Sequence, residues 1–400
     1  MHATTARMKS LTSVAVFFLA LGTFVSVTVQ GAYQLLILPP LLWHFHRAWG
    51  RNFRLPASAW WLLAFVVGAA VSSLLAWDDM ARPWKSLKRL DVYLLAVFGI
   101  FPVAAWIREV STRTLNRLVR VLALAMVGSA AWLLWQKFFL GAAQLKPFTE
   151  TMRFAYGTTL VVVLGLGLVL HRPLAPRIRS WLPRRWGWLL VCAGAASVVL
   201  INSRGAQAAL LLALPAVFWF WRPRVGAILL AGGMALGSVV AWNYLYGTQD
   251  EASVRLLANK NNASDQIRRS QWHAASIAWS ERPVWGWGYR NFHSQVERIK
   301  TSHDLPGKEY VDAHAHNVLL EIAAGTGTVG VTLFLIAFGC WVFECWRAGG
   351  LVRILMMPFF AALVFEAQFE VLLDANNATW IGFLYALSTG VGKRYQTSVD

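Results

Sequence analysis

An all-α protein threaded repeatedly through a membrane is the fold class this sequence predicts, on three observations. Of 400 residues, 57% are apolar and only 14% are charged, whereas an ordinary soluble domain carries about 25% charged residues. Apolar stretches close to the ~20 residues needed to cross a bilayer recur along the whole chain. The 22 Trp suit a residue favoured at membrane–water boundaries. The net charge of +18 with His neutral would suggest a nucleic-acid partner in a soluble chain; in one this apolar it reads as topogenic charge in loops, with no nucleic acid implied. Disorder, a secreted disulfide scaffold and a cytosolic enzyme are excluded. Cys192, Cys340 and Cys345 lie in or beside apolar runs without disulfide or zinc spacing, and read as small buried hydrophobes.

In chain order, about 12 stretches approach crossing length, near 10–29, 31–45, 57–76, 91–107, 118–139, 154–171, 186–202, 205–221, 225–246, 317–343, 351–372 and 376–392. The first follows Arg7 and Lys9; its long run lacks a small-x-small cleavage site, so an uncleaved helix is read in preference to a signal peptide. The second is short and carries Pro39-Pro40, as a broken or re-entrant segment would. With both termini inside, the inner segments hold 20 Lys and Arg and the short outer loops 8, which is the arrangement the positive-inside rule favours. The chain then divides into helices one to nine (1–246), an outer loop domain (247–316) and helices ten to twelve (317–400). The loop is nearly neutral, with 9 basic and 8 acidic residues. Its 265–280 stretch has helical periodicity, and Pro283-Val-Trp-Gly-Trp-Gly-Tyr then brings turn residues and aromatics together. That content predicts an ordered loop lying on the outer membrane face.

The informative polar residues fall at outer helix ends. Arg204 follows Ser203 in a tight turn before the eighth span. The pair reads either as an Arg snorkelling to headgroups or as an anion site built with free backbone N–H groups. Arg268 and Arg269 lie on the loop helix, and Arg268 shares a face with Trp272 four residues on; an Arg stacked on an interfacial aromatic is the plain reading. In Asp312-Ala-His-Ala-His-Asn, His316 immediately precedes the tenth span, where a helix N-terminus disfavours imidazolium and leaves a ring able to accept a proton. Glu321, five residues on and about 140° round a helix, is expected to face away from it. Asp312, His314 and His316 alternate along one side of an extended strand, with His303 or His293 as further ligands, yet zinc sites usually show helical or CxxC spacing, so no metal is expected. The acidic pair Asp78-Asp79 is a weak divalent-ion candidate beside Arg82, Lys85, Lys88 and Arg89. Those four cations break the inside rule and point to phosphate or lipid headgroups. Glu366, Glu370 and Asp374 fall four apart on one helix face and suit capping and packing, or a proton relay.

Together these features resemble the O-antigen ligase family within the O-antigen polymerase and ligase superfamily. Three places carry the resemblance: Ser203-Arg204-Gly205; Arg268-Arg269-x-x-Trp272 followed by Pro283-x-x-Gly286-x-Gly288-x-x-Asn291-Phe292; and His316-Asn317-x-x-Leu320-Glu321 with Gly325, Gly327 and Gly330. The resemblance implies a C-type glycosyltransferase-like fold in the bacterial inner membrane, its site facing the periplasm, working without cofactor, metal or nucleotide sugar. It implies a glycan donor on undecaprenyl diphosphate and a hydroxyl of lipid A–core oligosaccharide as acceptor. It matches the family's essential His to His316 and its essential Arg positions to Arg204 and one of Arg268 or Arg269, with Arg268 favoured by its spacing to Trp272. Catalysis is then expected from His316, Arg204 and Arg268, and substrate contacts from Arg269, Ser203, His314, Trp272, Arg82, Lys85 and Arg89. The chemistry agrees, because arginine forks stabilise a diphosphate leaving group and a neutral His deprotonates an attacking hydroxyl. An O-antigen polymerase or a protein O-oligosaccharyltransferase would use the same donor. A lipid or ion transporter is disfavoured by the absence of a convincing internal repeat.

Overall fold

The computed structural model describes residues 2–25, 27–49, 55–80, 83–142, 145–147, 151–171, 183–246, 263–305, 314–369 and 375–396. Among these the chain forms sixteen α-helices, one 3-10 turn and no strand. In order they are α1 (His2–Val25), α2 (Val27–Trp49), α3 (Ala57–Leu75), α4 (Pro83–Lys88), α5 (Asp91–Phe98), α6 (Ile100–Glu109), α7 (Thr112–Phe138), α8 (Thr151–His171), α9 (Arg184–Ile201), α10 (Arg204–Trp221), α11 (Pro223–Tyr246), α12 (Ala263–Glu281), α13 (Phe292–Ser302), α14 (Val318–Ala348), α15 (Gly350–Glu366) and α16 (Ala375–Gln396). The protein is therefore an all-helical, polytopic membrane protein. Among the described residues six helices are long and apolar enough to cross a bilayer: Ala57–Leu75, Pro83–Ile107, Thr112–Phe138, Phe154–His171, Arg184–Ile201 and Val318–Ala348. Gly205–Trp221 and Pro223–Met234 are shorter apolar helices. These six fall among the 12 stretches expected from the sequence. The expected break at Pro39-Pro40 does not occur, since α2 continues through both; its inner turns pack along α1 and α6, and Gln34 donates to the Thr379 hydroxyl at 3.0 Å.

Large apolar side chains such as Leu35, Trp60, Val67 and Leu211 remain exposed, the pattern of helices whose outer faces meet hydrocarbon rather than water. Inside, α8 packs on α9, α10 and α15, while α14 packs on α3, α12, α15 and α16. Helix direction sorts the ends. At one end, the Glu344 carboxylate near the foot of α14 accepts from the Ser58 N–H (2.9 Å) and hydroxyl (2.5 Å) at the start of α3. At the other, Ser72 and Ser73 near the end of α3 meet the loop before α13 and the first turns of α14. Val318 N–H bonds the Ala367 carbonyl there at 2.8 Å, so the last turn of α15 joins the same end.

Residues 263–305, the described part of this segment before 314, hold helices α12 and α13. α12 and α13 share a small core of Ala274, Ala275, Ala278, Phe292, Val296 and Ile299, which leans on Ala324 of α14. Trp287 fills the turn between them, its indole donating to the Ala278 carbonyl at 3.0 Å. The Arg282 and Arg298 guanidiniums cover that ring at 3.8 and 4.8 Å from its centroid.

Candidate active site

Two glycine-rich motifs, Gly286-x-Gly288 and Gly325-x-Gly327, form one interlocked unit. α14 breaks at Gly327, whose φ of 65° and ψ of −166° belong to a region essentially reserved for glycine. The turn after α12 fits into that break: Trp287 N–H donates to the Ala324 carbonyl (2.9 Å), and Thr328 N–H to the Pro283 carbonyl (2.7 Å). A Cβ on Gly327 would stand 2.2 Å from the Val284 carbonyl oxygen, and one on Gly286 2.5 Å from the Gly325 carbonyl carbon. Backbone thus touches backbone where the sequence repeats Gly-x-Gly twice. The buried Ser72 hydroxyl sits against both partners, 2.5 Å from the Trp285 carbonyl and 2.8 Å from that of Gly325, while Ser73 accepts from Tyr289 N–H at 3.0 Å.

This unit presents His316. The residue lies two positions before α14 in a left-handed conformation, φ 49°, and Asn317 caps the helix by accepting from Leu320 N–H at 3.0 Å. The expectation that Glu321 faces away fails for that reason: His316 is not on the helix, so the 140° rotation does not separate them. The Glu321 carboxylate, 4% exposed, turns back to accept from Ala315 N–H at 2.9 Å, and its charge interacts with those of His316, Arg290 and Arg89. Its other oxygen has no hydrogen-bond partner among the described residues. The Trp272 indole donates to the His316 carbonyl at 3.4 Å, tying the loop helix to that residue.

Arg290, which the sequence reading passed over, bears on the Glu321 carboxylate with its charge. It is 4% exposed, adopts φ 54°, and brings its guanidinium 3.4 Å from His314 Nδ1. A guanidinium has only protons to give, so His314 accepts there and carries its own proton on Nε2. The signal that could have found Arg290 is its place two residues after Gly286-x-Gly288, where close backbone approach fixes the following side chains. Tyr289 is buried beside it, its hydroxyl 2.9 Å from that of Tyr93; burial pushes the Tyr289 phenol above its ordinary value.

Residues 188–335 match the family model described as O-antigen ligase. Over this stretch the chain is similar to the O-antigen ligase family. No curated protein matches the chain. The ligase stretch runs from α9 through the break in α14, so it holds Ser203, Arg204, Arg268, Arg269, Trp272, His314 and His316, together with the newly seen Arg290 and Glu321.

Of the expected ligase-site residues, His316, His314 and Trp272 come together around α14. Arg268 is half-buried and Arg269 exposed on the first described turns of α12, consistent with the four-residue spacing that set Arg268 on the Trp272 face. Arg204 opens α10, and its side chain lies outside the described part of the structure. Ser203 is buried and caps α10 through Ala206 N–H at 3.5 Å; Tyr156 packs its hydroxyl against Gly205 beside it. Glu366 is fully buried at the end of α15, with the Thr159 side chain as its polar neighbour. Arg82, Asp312, Glu370 and Asp374 lie outside the described residues. Asp79, expected as half of an ion-binding pair, instead pairs with Arg282 at 2.7 Å. Among the described residues no three His, Cys, Asp or Glu side chains converge as metal ligands would.

Lys85 and Arg89 lie outside the ligase stretch, and their charges bear on His293. The 77–80 segment is docked on the loop domain, because the Asp79 carbonyl accepts from Asn291 (3.4 Å) and Gln295 (3.5 Å) side chains. Burial lowers the His293 imidazole below its ordinary value, and the charges of Arg89, Lys85 and Arg290 push the same way against the Arg290 carbonyl, which raises it. From the His316 end an apolar cavity of about 180 Å³ runs down between the helices, lined by Val318, Tyr93, Gln368, Phe338, Trp341 and Tyr385 among others.

Proposed function

We propose that the protein is an O-antigen ligase that transfers a glycan from undecaprenyl diphosphate to a hydroxyl of lipid A–core oligosaccharide. The observation that carries the reading is the cluster at one end of the bundle, inside the ligase-family stretch: His316 tied to Trp272 and interacting with the Glu321 carboxylate. His316 takes the proton of the acceptor hydroxyl as its oxygen attacks the anomeric carbon. The bond from that carbon to the diphosphate oxygen breaks, and the electron pair leaves with undecaprenyl diphosphate, inverting the configuration. Arg204 and Arg268 hold the diphosphate and stabilise the charge that develops there. Glu321 steadies the imidazolium formed on His316, as the third group of a base–orienter pair does. Ser203, Arg269, His314 and Trp272 contact or frame the substrates, with Lys85, Arg89 and Arg82 on the outer side. The apolar cavity below Val318 suits one lipid chain of the donor, with its diphosphate left at the mouth.

In this reading residues 247–316 are a periplasmic loop domain between helices one to nine (1–246) and ten to twelve (317–400). Both termini are cytoplasmic, and the protein sits in the bacterial inner membrane. Transfer needs no cofactor or metal, so a chelator leaves it unchanged. A chromosomal deletion tests the assignment against a polymerase, which uses the same donor. Loss of a ligase leaves long O-antigen polymer on the lipid carrier and none on lipid A–core; loss of a polymerase leaves single repeat units on the carrier.

A further inference from the structure

His316 keeps a left-handed backbone, φ 49°, a conformation that a residue bearing a Cβ holds only where its surroundings over-determine it. The turn that ends α15 supplies such a constraint through Ala367, Gln368 and Phe369. The Ala367 carbonyl accepts from Val318 N–H at 2.8 Å. The Gln368 side chain accepts through Oε1 from the Asn317 side-chain amide at 3.2 Å. Phe369 lies against the Trp272 indole, ring centroids 6.3 Å apart, and that indole donates to the His316 carbonyl. Asn317 therefore joins two elements with one side chain: its Oδ1 caps α14 at Leu320 N–H, and its Nδ2 reaches the end of α15. Gln368 is oriented for this contact, because its own Nε2 donates to the Val364 carbonyl one turn back at 3.3 Å, which leaves the oxygen end of the amide toward Asn317.

The place of Gln368 is unusual for an amide. It lines the apolar cavity beside Val318, Val364 and Ala367, where a leucine would extend the wall and leave Asn317 without this acceptor. We propose that Gln368 is a positioning residue for His316: through Asn317 it holds the strained His316 backbone, and with it the imidazole, where the acceptor hydroxyl is deprotonated. A displacement of the base by about 1 Å is enough to cost roughly a hundredfold in rate, so one hydrogen bond beside a strained residue has leverage on turnover that it lacks on stability. The inference rests on the ligase reading for the role of His316. It adds a residue outside the ligase-family stretch of 188–335 on which that role depends.

The test compares two variants of the full-length protein in phosphatidylcholine liposomes, with lipid-linked glycan as donor and lipid A–core as acceptor. Gln368→Leu keeps the bulk of the side chain, suits the apolar wall and removes the acceptor atom; Gln368→Glu keeps an oxygen for Asn317 to donate to. The leucine variant is expected to lose at least tenfold in kcat, with KM for donor and acceptor within twofold of the wild type. The glutamate variant should recover most of that loss. Without substrates, hydrogen exchange at the Val318 amide should quicken in Gln368→Leu and return toward the wild-type rate in Gln368→Glu. A leucine variant with wild-type kcat overturns the proposal, as does unchanged exchange at Val318. So does a donor KM that rises at constant kcat, which would make Gln368 a wall of the lipid cavity alone. A glutamate variant as impaired as the leucine one equally overturns it. Absence of transfer to lipid A–core by the wild type refutes the ligase reading itself, a result distinct from all of these, and the exchange rates report on the Gln368 contact independently of it.

Discussion

Replacing Gly327 with Ala probes the interlock on which the site is built. At φ 65° and ψ −166° an L residue carries backbone strain of about 1–3 kcal/mol. The added methyl would lie 2.2–2.6 Å from the Val284 carbonyl and the Trp285 nitrogen, and relieving such overpacking costs roughly another 1–3 kcal/mol. The sum, about 2–6 kcal/mol, falls on one local contact, and the protein can relieve it by undocking the 283–291 turn from the break in α14 without unfolding the bundle. Undocking releases Arg290 and shifts the base of His316 together. Turnover in a reconstituted transfer assay should therefore drop at least a hundredfold, while the melting temperature of the detergent-solubilised protein falls by only a few degrees. Gly339→Ala in the same helix is the control: its Cβ meets open space, and the lost chain entropy of glycine makes the change neutral or stabilising by roughly 0.5–1 kcal/mol. A Gly327→Ala protein that melts and transfers like the wild type would refute the interlock.

Other outcomes follow from the same coordinates. Ser72→Ala leaves the Trp285 and Gly325 carbonyls without their shared hydroxyl, a loss of about 1–3 kcal/mol, and hydrogen exchange should quicken at the Trp287 and Thr328 amides before anywhere else in α14. The Arg282–Asp79 pair has side chains 36% and 41% exposed, so Asp79→Asn should cost no more than about 1 kcal/mol, and the cost should shrink in high salt. His293 is depressed below 6.5 by burial and then by its cationic neighbours. Its unfolded form therefore binds more protons, and its share of stability is present above pH ~6.5 and lost as pH falls through the folded value. Melting temperature should decline on acidification through that window, and His293→Gln should flatten the decline.

Much of this architecture was legible in the residues, for identifiable reasons. Apolar runs report helices directly, and the helical periodicity of Ile267, Trp272, Ala275, Ile277 and Trp279 among polar neighbours gave α12 in a loop that hydropathy alone leaves blank. The meeting of His316 and Trp272 was implied by two motifs known only to share an end of the membrane. Glu321 was misread because a helix was assumed to start at His316, whereas Asn317 caps it and the residues before fold back on the carboxylate. Arg290 escaped notice because one cation among nine in a loop has no periodicity to mark it; only the fit of Gly286 and Gly327 buries it. Asp79 looked like an ion ligand because its partner, Arg282, lies about 200 residues away in sequence. Nothing in a hydropathy profile reports that α2 continues through Pro39-Pro40, since the packing of α1 against it decides the matter.

The central claim is that His316 removes the acceptor proton at a site the α12–α14 interlock assembles. It is tested most directly by single-turnover transfer with purified His316→Ala protein, loaded with lipid-linked glycan at saturating lipid A–core, alongside measured donor affinity. The account predicts donor binding within about twofold of the wild type and no glycan on lipid A–core. Transfer at the wild-type rate by that variant would contradict it.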